Sequence, residues 1–182
     1  MCAIFGFTSP SLKKEQVLPY FEKTKSRGPD DTRLEPAGSG MLGFHRLAIM
    51  GLHPEGMQPF HRGGDMAVCN GELYGFRPVK KALEAKGYVF ASDSDCEIIL
   101  PLWQEYGTKM FAGLDAEFAM IIYDSASDSL VAARDPIGIR PLFYGYSKSS
   151  HQIAFASEMQ NLIGWCDDIR PFPIGSYYCD GR

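Results

Sequence analysis

No run of Lys or Arg in this 182-residue chain could follow a phosphate backbone or an anionic membrane surface. The 18 basic and 22 acidic residues are interspersed and leave a net charge of −4, so no nucleic-acid partner is expected. Nothing approaches the roughly 20 consecutive apolar residues of a membrane span, and the first residues lack the basic-then-apolar layout of a secretory signal. No membrane partner and a cytoplasmic location are expected. The five cysteines, Cys2, Cys69, Cys96, Cys166 and Cys179, are odd in number, widely spaced and free of any C-x-x-C pair, and they read as reduced thiols. The four histidines, His45, His53, His61 and His151, form neither a metal-ligand nor a triad spacing, and no metal site is expected. Internal repeats, low-complexity segments and a Walker-type phosphate loop are also lacking.

What is present is a globular composition, 45% hydrophobic, 13% aromatic and 22% charged. One compact domain over residues 1–182 is expected. Cys2-Ala-Ile-Phe-Gly-Phe7 reads as a buried strand running to a helix start. Ser11 to Lys25 has helical spacing interrupted at Pro19. Met41 to Ile49 and Met66 to Tyr74 read as strands flanking a loop from Gly51 to Gly64. Pro78 to Lys86 reads as a helix closed by Gly87, with Pro78 at its first position, and Tyr88 to Ala91 as extended chain. Ser94-Asp-Cys-Glu97 has the form of a capping box and predicts a helix towards Tyr106, with Asp95 in its first turn. Glu117 to Asp124, Ser129 to Arg134, Leu142 to Tyr146 and Gln152 to Ala156 predict an antiparallel meander. Strands first, helices between and strands again point to an α+β fold of antiparallel sheets with helices packed outside.

Cys2 is the first residue with chemistry to offer. Its small side chain permits removal of the initiator Met, which leaves nucleophile and base on one residue. A thiol with a pKa near 8.5 is mostly protonated at pH 7, whereas an α-amine at about 7.7–8.0 is partly neutral and can take the thiol's proton, directly or through water. Taken alone, Cys2 reads more simply as a small apolar residue at the start of a buried strand.

The wider pattern changes that reading. Cys2-Ala-Ile-Phe-Gly, Arg27-Gly-Pro-Asp30, Phe44-His-Arg-Leu-Ala-Ile49, Asn70-Gly-Glu-Leu-Tyr74, Ser94-Asp-Cys-Glu97 and Arg134-Asp-Pro-Ile-Gly-Ile-Arg-Pro141 together resemble class II glutamine amidotransferase domains. The blocks span nearly the whole chain and are most similar to the amino-terminal glutaminase domain of glutamine-hydrolysing asparagine synthetases. The resemblance implies a four-layer αββα sandwich of the N-terminal nucleophile hydrolases, with L-glutamine as substrate and Cys2 as nucleophile. By the same matching, Arg46 would bind the glutamine α-carboxylate through a planar two-bond contact, and Leu47, Ala48, Ile49 and Met50 would line the pocket beside it. Core packing explains those four equally well.

Asn70 and Gly71 would form the oxyanion hole, although Asn-Gly is also the strongest short hairpin signal. Glu72 would sit beside the substrate, and Asp95 would accept from its ammonium or simply favour the dipole of its helix. The Arg27 and Arg134 blocks are expected to hold loops near the nucleophile without a catalytic step. One departure from the family pattern is Gly75, where Asn is common; a supporting hydrogen bond near the pocket is expected to be missing.

The resemblance implies no cofactor for this domain. ATP and magnesium would serve only a synthetase domain that accepts the ammonia, and a homodimer is compatible with it. Phe172-Pro-Ile-Gly-Ser-Tyr-Tyr178 resembles the passage towards such a domain, so the chain is expected to be an excised domain or a stand-alone subunit, unable to make asparagine alone. Two rivals remain open. One is the glutaminase domain of another class II enzyme, such as an amidophosphoribosyltransferase, which shares the Arg134 block. The other is a non-catalytic module that senses glutamine.

Overall fold

A computed structural model describes residues 1–50 and 52–179. Its framework is eleven strands: β1 (Ala3–Thr8), β2 (Asp31–Ala37), β3 (Gly40–Arg46), β4 (Phe60–Arg62), β5 (Asp65–Leu73), β6 (Ala116–Asp124), β7 (Ser129–Arg134), β8 (Phe143–Ser147), β9 (Ile153–Ala156), β10 (Cys166–Pro171) and β11 (Tyr177–Tyr178). They form a six-stranded sheet in the order β10-β8-β9-β1-β3-β2 and a five-stranded sheet in the order β11-β7-β6-β5-β4. Every pairing within the sheets is antiparallel. Three α-helices accompany them: α1 (Lys14–Phe21), α2 (Phe76–Ala85) and α3 (Ile99–Tyr106).

Side chains alternate between the faces of a strand, and here both faces of the central strands are apolar. In β5, Met66 and Val68 enter the core between the sheets, with Ile4, Leu42, Phe44, Ala119 and Ile121. Ala67 and Cys69 turn the other way, under Phe76 and Leu83 of α2 and Ile99 and Leu100 of α3. On the opposite side, Phe5 and Phe7 of β1 pack beneath Val17 and Phe21 of α1. The result is helix, sheet, sheet, helix, held by three apolar cores. This is the expected four-layer sandwich.

Several details differ from the sequence reading. The four C-terminal runs do not form one meander: β6 and β7 pair in the five-stranded sheet, and β8 and β9 in the six-stranded sheet. Turn chemistry specifies that neighbours pair but not which sheet they join, and the segment between β7 and β8 carries the chain across. The Gly51–Gly64 stretch is not all loop, since it contains a 3-10 turn, Pro54–Gly56, and β4. The edge strand β2 was not anticipated: it carries Pro36 and buries only Leu34 and Ala37, so no alternation stands out. Tyr88 to Ala91 pairs with no strand.

Helix α2 begins earlier than expected, behind Gly75 at φ 62°, so that Pro78 occupies its third position. Proline is still tolerated there, because a first-turn N–H has no intrahelical partner. The Ser94 capping box does not form. Glu97 instead accepts from the Ala91 and Ser92 backbone N–H groups at 2.6 and 2.8 Å, and the segment opens as a 3-10 turn, Asp95–Ile98, before α3.

Candidate active site

The alternation that fills the middle core also assembles the site. Even-numbered positions of β1, β3 and β5 face the space between the sheets, as Ile4, Leu42, Phe44, Met66 and Val68 show. Continuing each series to the strand end gives Cys2, Arg46 and Asn70. The antiparallel register, with Ala3 opposite His45, puts the first two at the same end of the sandwich. All three line a pocket of about 130 Å³ together with Leu47, Ile49, Met50, Gln58, Cys69, Gly71, Glu72, Ser94, Asp95, Cys96 and Arg140. That volume lies below the ~300–1,000 Å³ of drug-sized pockets and suits a ligand the size of one amino acid.

Cys2 is held from several directions. The Leu47 N–H donates to its Sγ at 3.3 Å, and Arg27 Nε donates to its carbonyl at 3.1 Å. Arg27 Nη1 also donates to Glu158 Oε1 at 2.9 Å. The next turn of strand is fixed by Ser157, whose Oγ accepts from the Ile4 N–H and whose N–H donates to the Ile4 carbonyl, both at 2.9 Å. Burial pushes the Cys2 thiol above its ordinary value, against smaller opposing pulls from the Leu47 N–H, the amino terminus and Arg46. A thiol in that state needs a base. The neighbouring Cys96 is pushed well up by the Cys69 thiol and by burial, so it stays protonated.

Arg46 is buried, and both its Nη groups donate to the His53 carbonyl at 3.3 Å. Of the four residues expected beside it, Leu47, Ile49 and Met50 line the pocket, whereas Ala48 does not. The Ala48 N–H donates instead to Asp30 Oδ2 at 2.8 Å, which ties the Arg27-Gly-Pro-Asp30 block to this loop. Gly28 of that block is pressed so close that an added Cβ would lie 2.2 Å from the His45 carbonyl oxygen. Glu72 lines the pocket mouth. Gly75 is exposed, is not part of the lining and has open space beside it.

Asn70 and Gly71 lie within β5 and form no turn. Asn70 is 3% exposed, yet among the described residues its Nδ2 has no hydrogen-bond partner. A buried amide donor without an acceptor costs about 1–3 kcal/mol, and here it borders the pocket.

The backbone beside it follows the same logic. Both polar groups of Phe118, which faces Gly71, point away towards Asp135: the N–H donates to Asp135 Oδ2 at 3.2 Å and the carbonyl accepts from the Asp135 N–H at 2.9 Å. Gly71 is therefore in a non-hydrogen-bonded pair, and its own N–H points to the other edge of β5. There β4 reaches only as far as Ala67. The Cys69 N–H on that edge donates to Gln58 Oε1 at 2.6 Å and the Leu73 N–H to Asp95 Oδ2 at 2.7 Å. The Gly71 N–H lies between these two, with no strand beside it among the described residues. A side chain is barred at Gly71, since a Cβ would fall 2.5 Å from the Glu117 carbonyl oxygen.

The Arg134 block acts as a rigid bracket. Asp135 accepts from the backbone N–H groups of Ile137, Gly138 and Ile139 at Oδ1, and of Phe118 and Arg140 at Oδ2. It thereby presents Arg140 to the pocket, paired with Glu117. Residues that sequence reasoning missed are Gln58, Ser157 and Glu158. None sits in a block with a recognisable chemical signature.

Residues 1–178 match the glutamine amidotransferase domain family. A probable asparagine synthetase [glutamine-hydrolyzing] of Acanthamoeba polyphaga mimivirus is 39% identical over 94% of this chain and 33% of its own length. Asparagine synthetase B of Escherichia coli (strain K12) is 35% identical over 97% of this chain and 32% of its length. This chain thus spans about a third of the curated relatives it matches. Among solved structures, glutamine phosphoribosylpyrophosphate amidotransferase from B. subtilis superposes with a TM-score of 0.78 at 20% identity, covering 97% of this chain and 46% of that one, a likeness of fold. With a family match over residues 1–178, the chain belongs to the glutamine amidotransferase domain family.

Proposed function

We propose that this domain hydrolyses L-glutamine to L-glutamate and ammonia, with Cys2 as nucleophile once Met1 is removed. The observation that carries the reading is the convergence of the Cys2 thiol, the orphaned Asn70 Nδ2 and the outward Gly71 N–H on one amino-acid-sized pocket. The freed α-amine takes the thiol proton, and the thiolate attacks the amide carbon. Asn70 and Gly71 donate to the oxygen as it gains charge. The protonated amine then gives its proton to the departing ammonia, and water releases glutamate from the thioester. Arg46 is proposed to donate to the α-carboxylate and Asp95 to accept from the ammonium, while Glu72 flanks the substrate at the mouth.

In the full protein the ammonia would pass to a synthetase domain that makes asparagine, and ATP and magnesium would be needed only there. The names of the relatives at 35–39% identity support this over an amidophosphoribosyltransferase, to which the likeness is one of fold. A cytoplasmic setting, where thiols remain reduced, suits five cysteines that form no disulfide with one another.

The test is glutamate release by the full-length protein with a verified Cys2 amino terminus, compared with Cys2→Ala and with a sample that retains Met1. Activity confined to the processed wild type is expected. Turnover by the Met1-bearing sample would refute the amine as base, and glutamine binding without turnover by the processed protein would favour a sensor.

A further inference from the structure

The mechanism above leaves unused a buried, doubly hydrogen-bonded side chain of the pocket. Gln58 is 4% exposed, and its carboxamide makes a two-bond contact with a single backbone residue. Oε1 accepts from the Cys69 N–H at 2.6 Å, and Nε2 donates to the Cys69 carbonyl at 3.2 Å. A neighbouring strand would make this same pair of bonds. β4 covers the β5 edge only from Asp65 to Ala67; Gln58 continues the ladder by side chain at Cys69, and Asp95 resumes it at Leu73. The interruption falls at Gly71, the residue whose N–H must face the substrate.

We infer that Gln58 is a positioning residue of the oxyanion hole. Its carboxamide stands in for a missing strand at Cys69 and fixes the pleat of β5, so that the Asn70 side chain and the Gly71 N–H point at one spot in the pocket. A bare edge could twist or move, and a real strand here would cover the Gly71 N–H. A single side chain holds the edge and leaves the gap open. The inference rests on the glutaminase reading, and it assigns Gln58 no contact with the reacting atoms.

Two substitutions in the full-length, Met1-processed protein test it. Gln58→Met keeps the length of the side chain and removes both bonds. It should lower kcat for glutamine about 10- to 100-fold, less than the ~10²–10³ lost with an oxyanion donor itself. KM and the rate at which iodoacetamide alkylates Cys2 should stay within about threefold, since neither needs the oxyanion hole. Gln58→Glu supplies a sharper readout, and would serve alone if the Met variant failed to fold. A protonated carboxyl reproduces both the acceptor and the donor of the amide, while the carboxylate faces the Cys69 carbonyl with no proton to give. Its kcat relative to wild type at each pH should therefore rise as pH falls. Cys2, Cys69, Cys96, Glu72, Asp95, Arg46 and Arg140 line the same pocket, so each value is referred to wild type at the same pH.

A Gln58→Met kcat within about threefold of wild type would overturn the inference. So would a loss of kcat matched by equal losses in Cys2 alkylation and glutamine binding, or a Gln58→Glu ratio indifferent to pH. A wild-type protein without glutaminase activity would instead sink the underlying reading. In that case the hydrogen-exchange rate of the Cys69 amide, expected to rise in Gln58→Met, still reports whether Gln58 holds the edge.

Discussion

Replacing Asn70 with Leu should separate activity from stability. The two side chains are nearly the same shape, so the change removes polarity with little change in packing. Asn70 is 3% exposed and its Nδ2 lacks a partner among the described residues. The folded protein therefore bears the desolvation of a buried donor, about 1–3 kcal/mol, without a compensating bond until a substrate oxygen arrives. During turnover that donor meets developing negative charge, where one such group is worth about 2.7–4 kcal/mol, or ~10²–10³ in kcat. Asn70→Leu should thus lose about two to three orders of magnitude in kcat, with KM for glutamine changed far less. The melting temperature should hold or rise, by about 2–4 °C for each kcal/mol relieved in a domain of this size. Steady-state glutamate release and calorimetry on the same preparation check both halves. A fall in activity accompanied by a comparable fall in melting temperature would show that Asn70 is a structural residue and refute the assignment.

Arg46→Ala and Asp95→Ala should each raise KM at least tenfold while leaving kcat within about tenfold; equal losses in both parameters would count against substrate recognition. Asp95→Ala should also lower thermal stability, because the Leu73 N–H loses its acceptor. Asp135→Asn should cost about 2–4 kcal/mol at pH 7, since the amide NH₂ would face backbone N–H donors. Although burial pushes the Asp135 carboxyl up, the N–H groups of Arg140, Ile139, Gly138 and Ile137 outweigh it and hold the group below its ordinary value. Its stabilisation is therefore fully present above the unfolded value of about 3.9 and is lost as pH falls through the lower folded value. Urea unfolding should show the gap between wild type and Asp135→Asn narrowing below about pH 4, and a gap constant with pH would refute that account.

Much of this arrangement is legible in the chain itself. The apolar runs that became β1, β5, β6 and β7 announce their strands because both faces of each are buried. The blocks around Cys2, Arg46, Asn70 and Asp95 are legible only together, since Cys2, Asn70 and Asp95 each have an ordinary structural reading when taken alone. Other features depend on contacts between distant segments. Edge strand β2 is half exposed and shows no clear alternation. Glu97, which looks like half of a capping box, is taken by the Ala91 and Ser92 amides, a local competition that spacing cannot resolve. Gln58 sits in a Gly- and Pro-rich stretch where a glutamine has no distinguishing context, and its role appears only when the unfinished edge of β5 is seen. The split of the final hairpins between two sheets is likewise a matter of long-range packing, since local turn chemistry is the same for either destination.

A chain terminus ordinarily frays, yet after loss of Met1 the proposed nucleophile is itself the terminus. Its order is lent by side chains from far along the chain, through Arg27 on the Cys2 carbonyl, Glu158 on Arg27, and Ser157 on Ile4. The fastening cannot exist until residues near position 158 have been synthesised and β9 has docked beside β1. A nascent or half-folded chain would carry the thiol without its setting. On the proposed mechanism, the thiol gains its full setting only when β9 lies beside β1.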